Sequence, residues 1–186
     1  YHPCQILADA LTILEKFGTL DVNLMYIGAK NNVFNSHVEF FSKMKKGTLY
    51  GLTPLVNETA CGPDFYEEAK KSGHYIELDP AMSMEEAKEY ANKMDVLYTD
   101  TWVDMEFFNN PAYQKQKEET LAKMMPYQLN GDFTKDSKAI VFHDMPMHVG
   151  FEISQDVVDK NLDHILDEAE NRRHAGKAVM YTLLNS

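Results

Sequence analysis

Cysteine is scarce in this 186-residue chain. Cys4 and Cys61 are the only two, at no framework spacing, which excludes a disulfide-stapled fold and fits a reducing, cytoplasmic setting. No apolar run approaches the roughly 20 residues needed to cross a bilayer, and no leader-like segment opens the chain. Basic residues are in deficit: 18 Lys and Arg stand against 29 Asp and Glu, a net charge of −11. That balance argues against nucleic acid or an anionic membrane as partner, because both are held by basic surface. A local cationic pocket for a small anion is still compatible with it. Glycine-rich phosphate loops are missing too, since the Tyr26-Ile27-Gly28-Ala29-Lys30 turn lacks the required spacing. Repeats and low-complexity tracts are absent. What is there, 44% hydrophobic and 25% charged residues, describes an ordinary globular chain able to bury a core without staples. Its length fits one sizeable domain, or one domain plus pieces of a second.

The chain opens on His2-Pro3-Cys4-Gln5 and runs into an amphipathic helix with Ile6, Leu7, Ala10, Leu11, Leu14 and Phe17 at helical spacing, ended by Gly18. An imidazole and a carboxamide therefore stand at a helix N-terminus, where unpaired N–H groups favour a polar or anionic ligand. Local pattern alone is equally served by a capped surface helix. Beyond it, short β-rich runs alternate with helical stretches. Strands are expected at Leu24–Gly28, Thr48–Leu52 (closed by Pro54), Tyr75–Leu78, Asp95–Thr99 and Ala139–Phe142, with a short extra one at His164–Leu166. Helices are expected over Val33–Lys45, Pro63–Ser72, from the Ser83/Glu86 capping box to about Met94, in much of Glu106–Leu129, and from about Asn171 to Leu184. Such alternation predicts an α/β fold with a mostly parallel sheet of about five strands covered on both faces. The first and last helices stand outside the alternation and are expected to pack together or against something else.

Ligands of parallel sheets sit at the carboxyl ends of the strands. That rule selects Asn31-Asn32, Asp100-Thr101-Trp102 and His143-Asp144-Met145-Pro146. The Asn31 and Asn32 amides suit a substrate carboxylate, or simply cap the helix at Val33. Asp100 and Asp104, flanking Trp102, suit a cationic amine, or are solvated loop acids. His143, Asp144 and His148 do not have tight zinc spacing, so no metal or other cofactor is expected. Cys4 with His2 or His143 as base could be a nucleophile, although an isolated cysteine more often serves packing. Arg172 and Arg173, read as lying near a helix start, oppose the macrodipole there and hint at a bound anion.

In order, these segments resemble the aspartate and ornithine carbamoyltransferase family over nearly the whole chain. His2-Pro3-Cys4-Gln5-Ile6-Leu7-Ala8-Asp9 is similar to its carbamoyl-phosphate motif, and Asn31-Asn32-Val33 to its first acceptor segment. Asp100-Thr101-Trp102-Val103-Asp104-Met105 resembles the ornithine-type D-x-W-x-S-M. His143-Asp144-Met145-Pro146 stands in the place of H-C-L-P, and Glu170-Asn171-Arg172 resembles the C-terminal E-N-R helix. The resemblance implies a three-layer Rossmann-like acceptor domain over residues 19–170, with helices 1–18 and 171–186 bridging to a phosphate-binding half whose S-x-R-T motif does not occur here. It implies a trimeric enzyme that transfers the carbamoyl group of carbamoyl phosphate to an amine, ornithine first. This half alone should then be inactive.

By the same resemblance, His2, Gln5 and Arg172 hold and polarise the carbamoyl group. Asn31 binds the acceptor's carboxylate and Asp100 its α-ammonium group. Cys4, Asn32, Asp104, Met105, His143 and Met145 complete the substrate site. Two departures stand out: Asp104 replaces the family serine, and Asp144 the cysteine. Both add carboxyl groups, which points to a more cationic acceptor such as a diamine or another diamino acid, and offers Asp144 as proton acceptor. A module that kept the fold and lost the reaction is the alternative of another class.

Overall fold

The computed structural model describes residues 1–103 and 108–186. Helix α1 (Pro3–Phe17) begins with proline at its first position, where a missing N–H costs nothing. It ends at Gly18, whose φ of 70° lets the cap N–H bond back to Leu14. The alternating core follows as β1 (Asn23–Lys30), α2 (Asn32–Met44), β2 (Thr48–Val56), α3 (Pro63–Lys70), β3 (Tyr75–Glu77), α4 (Met84–Ala91) and β4 (Val96–Thr99). Then come α5 (Gln114–Met124) between two 3-10 turns, α6 (Gly131–Thr134), β5 (Ile140–His143) and the long α7 (Gln155–Leu184).

The five strands are parallel in the order β3-β2-β1-β4-β5. Side chains alternate along β1: Leu24 and Tyr26 enter one apolar cluster with Phe34, Val38 and Phe142, while Met25 and Ile27 enter another with Leu52, Leu97 and Val141. The sheet thus buries both faces, as the apolar runs in its strands require. At Gly51 an added Cβ would stand 2.7 Å from the Phe34 ring, so the glycine lets α2 lie close on the sheet. No helix among the described residues is long and apolar enough to cross a membrane.

Three expectations change. β2 does not close at Pro54 but runs to Val56. The register with β1 slips between Ile27 and Ala29, and β3 pairs with β2 only as far as Gly51. Pro54 therefore occupies an irregularity on a free edge, where its lost donor is tolerated. His164–Leu166 is not a strand, and the last helix opens at Gln155, well before Asn171. The buried positions Val158, Ile165, Glu168, Asn171 and Ala175 recur at three-, four- and seven-residue intervals, a helical stripe that overrides three locally β-like residues. Arg172 consequently lies inside a helix, and the macrodipole argument for it lapses.

Candidate active site

Asn31, Asp100 and Asp144 each directly follow a strand, β1, β4 and β5, and these strands are neighbours. Strand order reverses beside β1, so Asn31 and Asp100 flank the crevice that a doubly wound sheet leaves at this point. Asn31 fills both roles read for it. Its Oδ1 caps α2 by accepting from Phe34 N at 2.9 Å, and its Nδ2 donates to Asp100 Oδ2 at 2.6 Å. Asp100 also accepts from Thr101 N at 2.6 Å and is 4% exposed. Asn32, half-buried, is the first residue of α2, and its carbonyl accepts from Ser36 Oγ.

Burial, reinforced by the neighbouring Asp100 carboxylate, pushes Asp144 up to about 11. At neutral pH it holds its proton, so the substitution brings a hydrogen-bond donor and not a second negative charge. His143 is fully buried. Its Nδ1 accepts from Met145 N at 3.0 Å, which leaves the ring proton on Nε2, 3.2 Å from Glu152 Oε1. Met145 sits in the left-handed region at φ 51° and precedes a cis bond to Pro146. His148 faces Thr101 Oγ1 at 2.9 Å and stacks on Phe108. Among the described residues, no three His, Cys, Asp or Glu side chains are arranged to hold a metal. Asp104 and Met105 lie outside the described residues.

The second wall is helical. His2 N donates to Ser36 Oγ at 2.7 Å, tying α1 to α2. Arg172 Nη2, reaching from α7, stands 2.8 Å from His2 Nε2 and donates to it. Burial lowers the His2 pKa, and the Arg172 charge lowers it further, so the ring is neutral and can accept. The Asp100 carboxylate acts on the same imidazole in the opposite sense. Cys4 is exposed on the first turn of α1, with the His2 ring committed to Arg172. Gln5 is 1% exposed, and its Nε2 donates to Asp9 Oδ1 and Glu168 Oε1, each at 2.9 Å.

Those two carboxylates, and His37 with its Nε2 3.3 Å from Asp9 Oδ2, were not among the residues the sequence singled out. The available signal is polar residues on a helix's apolar side: Gln5, Asp9 and Thr12 are buried on α1 together with Ile6, Ala8 and Ile13. Burial raises Asp9 to about 7 and Glu168 well above a carboxylate's ordinary range, and it lowers His37 to about 4.

Residues 20–183 match the family model described as "Aspartate/ornithine carbamoyltransferase, Asp/Orn binding domain". The ornithine carbamoyltransferase of Chlorobaculum tepidum is 36% identical over 190 residues, covering 99% of this chain and 52% of the relative. That of Pyrococcus horikoshii is 37% identical over 199 residues, covering 98% and 56%. The chain thus spans about half the length of the curated relatives it matches. Among solved structures, the Pyrococcus furiosus ornithine carbamoyltransferase superposes with a TM-score of 0.77 at 32% identity, over 96% of this chain and 55% of that one. The anabolic Campylobacter jejuni ornithine carbamoyltransferase gives 0.80 at 26%, over 100% and 59%. With its motifs, sheet order and these matches in agreement, the chain belongs to the aspartate/ornithine carbamoyltransferase family, as an Asp/Orn binding domain.

Proposed function

We propose that the protein carrying this chain transfers the carbamoyl group of carbamoyl phosphate to ornithine, and that this chain binds the acceptor. The δ-amine nitrogen attacks the carbonyl carbon, the bond to the phosphate oxygen breaks, phosphate departs and the amine loses a proton, giving citrulline. The observation that carries the reading is the Asn31–Asp100 pair at the sheet's switch point, with the His2–Arg172 pair tied through Ser36 to the helix that Asn31 caps. Asp100 supplies a buried negative charge for an ammonium group, and Asn31 an amide for the carboxylate. His2, Gln5 and Arg172 address the carbamoyl group, where negative charge develops on oxygen in the transition state. Cys4, Asn32, His143 and Met145 border the substrates, with Asp144 beside the acceptor. Two substrates meeting in one geometry make orientation the other main contribution.

In this reading residues 19–170 form the acceptor domain, and residues 1–18, with α1, and 171–186, with the C-terminal part of α7, bridge to a phosphate-binding half. Leu7, Leu14, Met180, Tyr181 and Leu183 lie exposed on α1 and α7, the kind of apolar surface such a half would cover. A cytoplasmic homotrimer is part of the proposal, with sedimentation of the intact polypeptide as its check. A second reading takes a diamine or another diamino acid as acceptor: an added cationic group bound beside Asp144 would draw off its proton and meet a second negative charge.

An acceptor screen with carbamoyl phosphate on the intact polypeptide decides between the readings. Ornithine turnover without diamine activity supports the first, and preferred diamine turnover supports the second. Ornithine binding with no turnover of any acceptor sinks both and leaves a binding module.

A further inference from the structure

Glu168 is fully buried and touches both halves of the site. Oε1 accepts from Gln5 Nε2 at 2.9 Å, and Oε2 accepts from the backbone N–H of His143 at 2.9 Å, where the loop bearing Asp144 begins. It also stands one helical turn before Arg172 on α7, so it lies on the same side of the helix as that guanidinium. One side chain thereby joins α1, α7 and the end of β5, three elements far apart in sequence.

The Gln5 amide has only one orientation available. Both Nε2 hydrogens go to carboxyl groups, of Asp9 and Glu168, and a flipped amide would set oxygen against oxygen. Oε1 is then its remaining polar atom, and among the described residues it is buried without a partner. An unmet buried acceptor is costly, and an N–H from a bound carbamoyl group would satisfy it.

We propose that Glu168 is a positioning residue: its two carboxyl oxygens hold the Gln5 amide and the His143 backbone in one register, setting the carbamoyl half of the site against the acceptor half. The inference rests on the carbamoyl-transfer reading above. Burial raises the carboxyl groups of both Asp9 and Glu168. This leaves the geometry unchanged, because a carboxyl oxygen accepts in either protonation state. An amide nitrogen accepts in neither, so Glu168→Gln must forfeit Gln5 or His143 at nearly constant shape.

The test compares the intact wild-type polypeptide with Glu168→Gln and with Asn171→Ala. Asn171 also pins α7 to α1, through Thr12 Oγ1 at 3.0 Å and Glu15 Oε2 at 2.7 Å, but reaches neither Gln5 nor His143. Glu168→Gln should lower kcat about 100-fold, the scale of a misplaced reacting group, with a smaller change in the acceptor's KM. Asn171→Ala should lose stability and keep kcat within about twofold. A folded Glu168→Gln with kcat within about twofold of wild type, or an equal kcat loss in Asn171→Ala, overturns the proposal. Should Glu168→Gln fail to fold, Glu168→Asp reads the same way, its shorter arm reaching one partner and not both.

Hydrogen exchange at the His143 amide separates this claim from the functional reading. A wild type that transfers no carbamoyl group sinks that reading. Exchange, read at the His143 amide and at the Gln5 side-chain amide, then decides the positioning: protection of either lost in Glu168→Gln and kept in Asn171→Ala upholds it, and protection of both kept in both variants overturns it.

Discussion

The two walls of the site are built on opposite terms. On the helical wall, polar side chains are bonded to one another, with Gln5 Oε1 left over: Gln5 with Asp9 and Glu168, Glu168 with His143, His2 with Arg172. On the strand-end wall, Asp100 meets Asn31 and Thr101, yet Asp144 is pressed beside it with its proton retained. The helical wall is set before any ligand arrives, so its order does not depend on substrate. The strand-end wall holds the Asp100 carboxylate beside a neutral Asp144, and a cation would balance that one buried charge, which is how a buried site selects for an ammonium group.

The contrast predicts its heaviest loss at Asp100. Asp100→Ala removes the buried charge and strands the Asn31 amide, and it should cost roughly 3–5 kcal/mol in kcat/KM for the acceptor, read by steady-state kinetics. A loss of less than about tenfold would break the assignment of that wall to the acceptor. Asp144→Asn comes next. If Asp144 acts as a neutral donor, asparagine keeps a donor there, and the loss should stay within about tenfold, the scale of one hydrogen bond. A drop of about 100-fold or more would instead mark Asp144 as the proton acceptor.

The smallest expected effect concerns stability on the helical wall. Asp9 is raised from 3.8 to about 7, so the native state keeps a proton that the unfolded chain has released. Its contribution therefore falls as pH rises through that window. His37 is lowered from 6.5 to about 4, so the unfolded chain binds a proton that the native state refuses, and its contribution rises with pH over that range. The two slopes oppose. Asp9→Asn removes the falling one, so its urea midpoint should climb more steeply than wild type between pH 4 and 6.5. Parallel profiles would show that the pair does not titrate as the burial of both groups requires.

How far the sequence could be read depended on distance along the chain. The strand-end wall was legible because each residue directly follows an apolar run, and a parallel sheet sends all such ends to one edge: Asn31, Asp100 and His143 emerge from that rule before any family is considered. The Ser83 cap was legible for a similar reason, since Glu86 N bonds to a side chain three residues away. On the helical wall His2, Gln5 and Arg172 were legible through their motifs, and their buried partners were not. Asp9 and Glu168 look like ordinary acids on polar helices, and nothing local to either reveals the other.

The last helix shows the same limit in reverse. His164–Leu166 has strand-like composition, but the buried stripe from Val157 to Ala175 is set by packing over the whole helix. Periodicity, turn chemistry and ordered motifs were enough to determine the α/β class, the parallel sheet and the family, because each is encoded within a few residues or in their order. The pairing of buried carboxyl groups, the proton held by Asp144 and the bridge at Glu168 were decided by tertiary structure alone. A group's charge and partners depend on what burial removes from water and what the fold brings within about 3 Å, and neither is written at any single position.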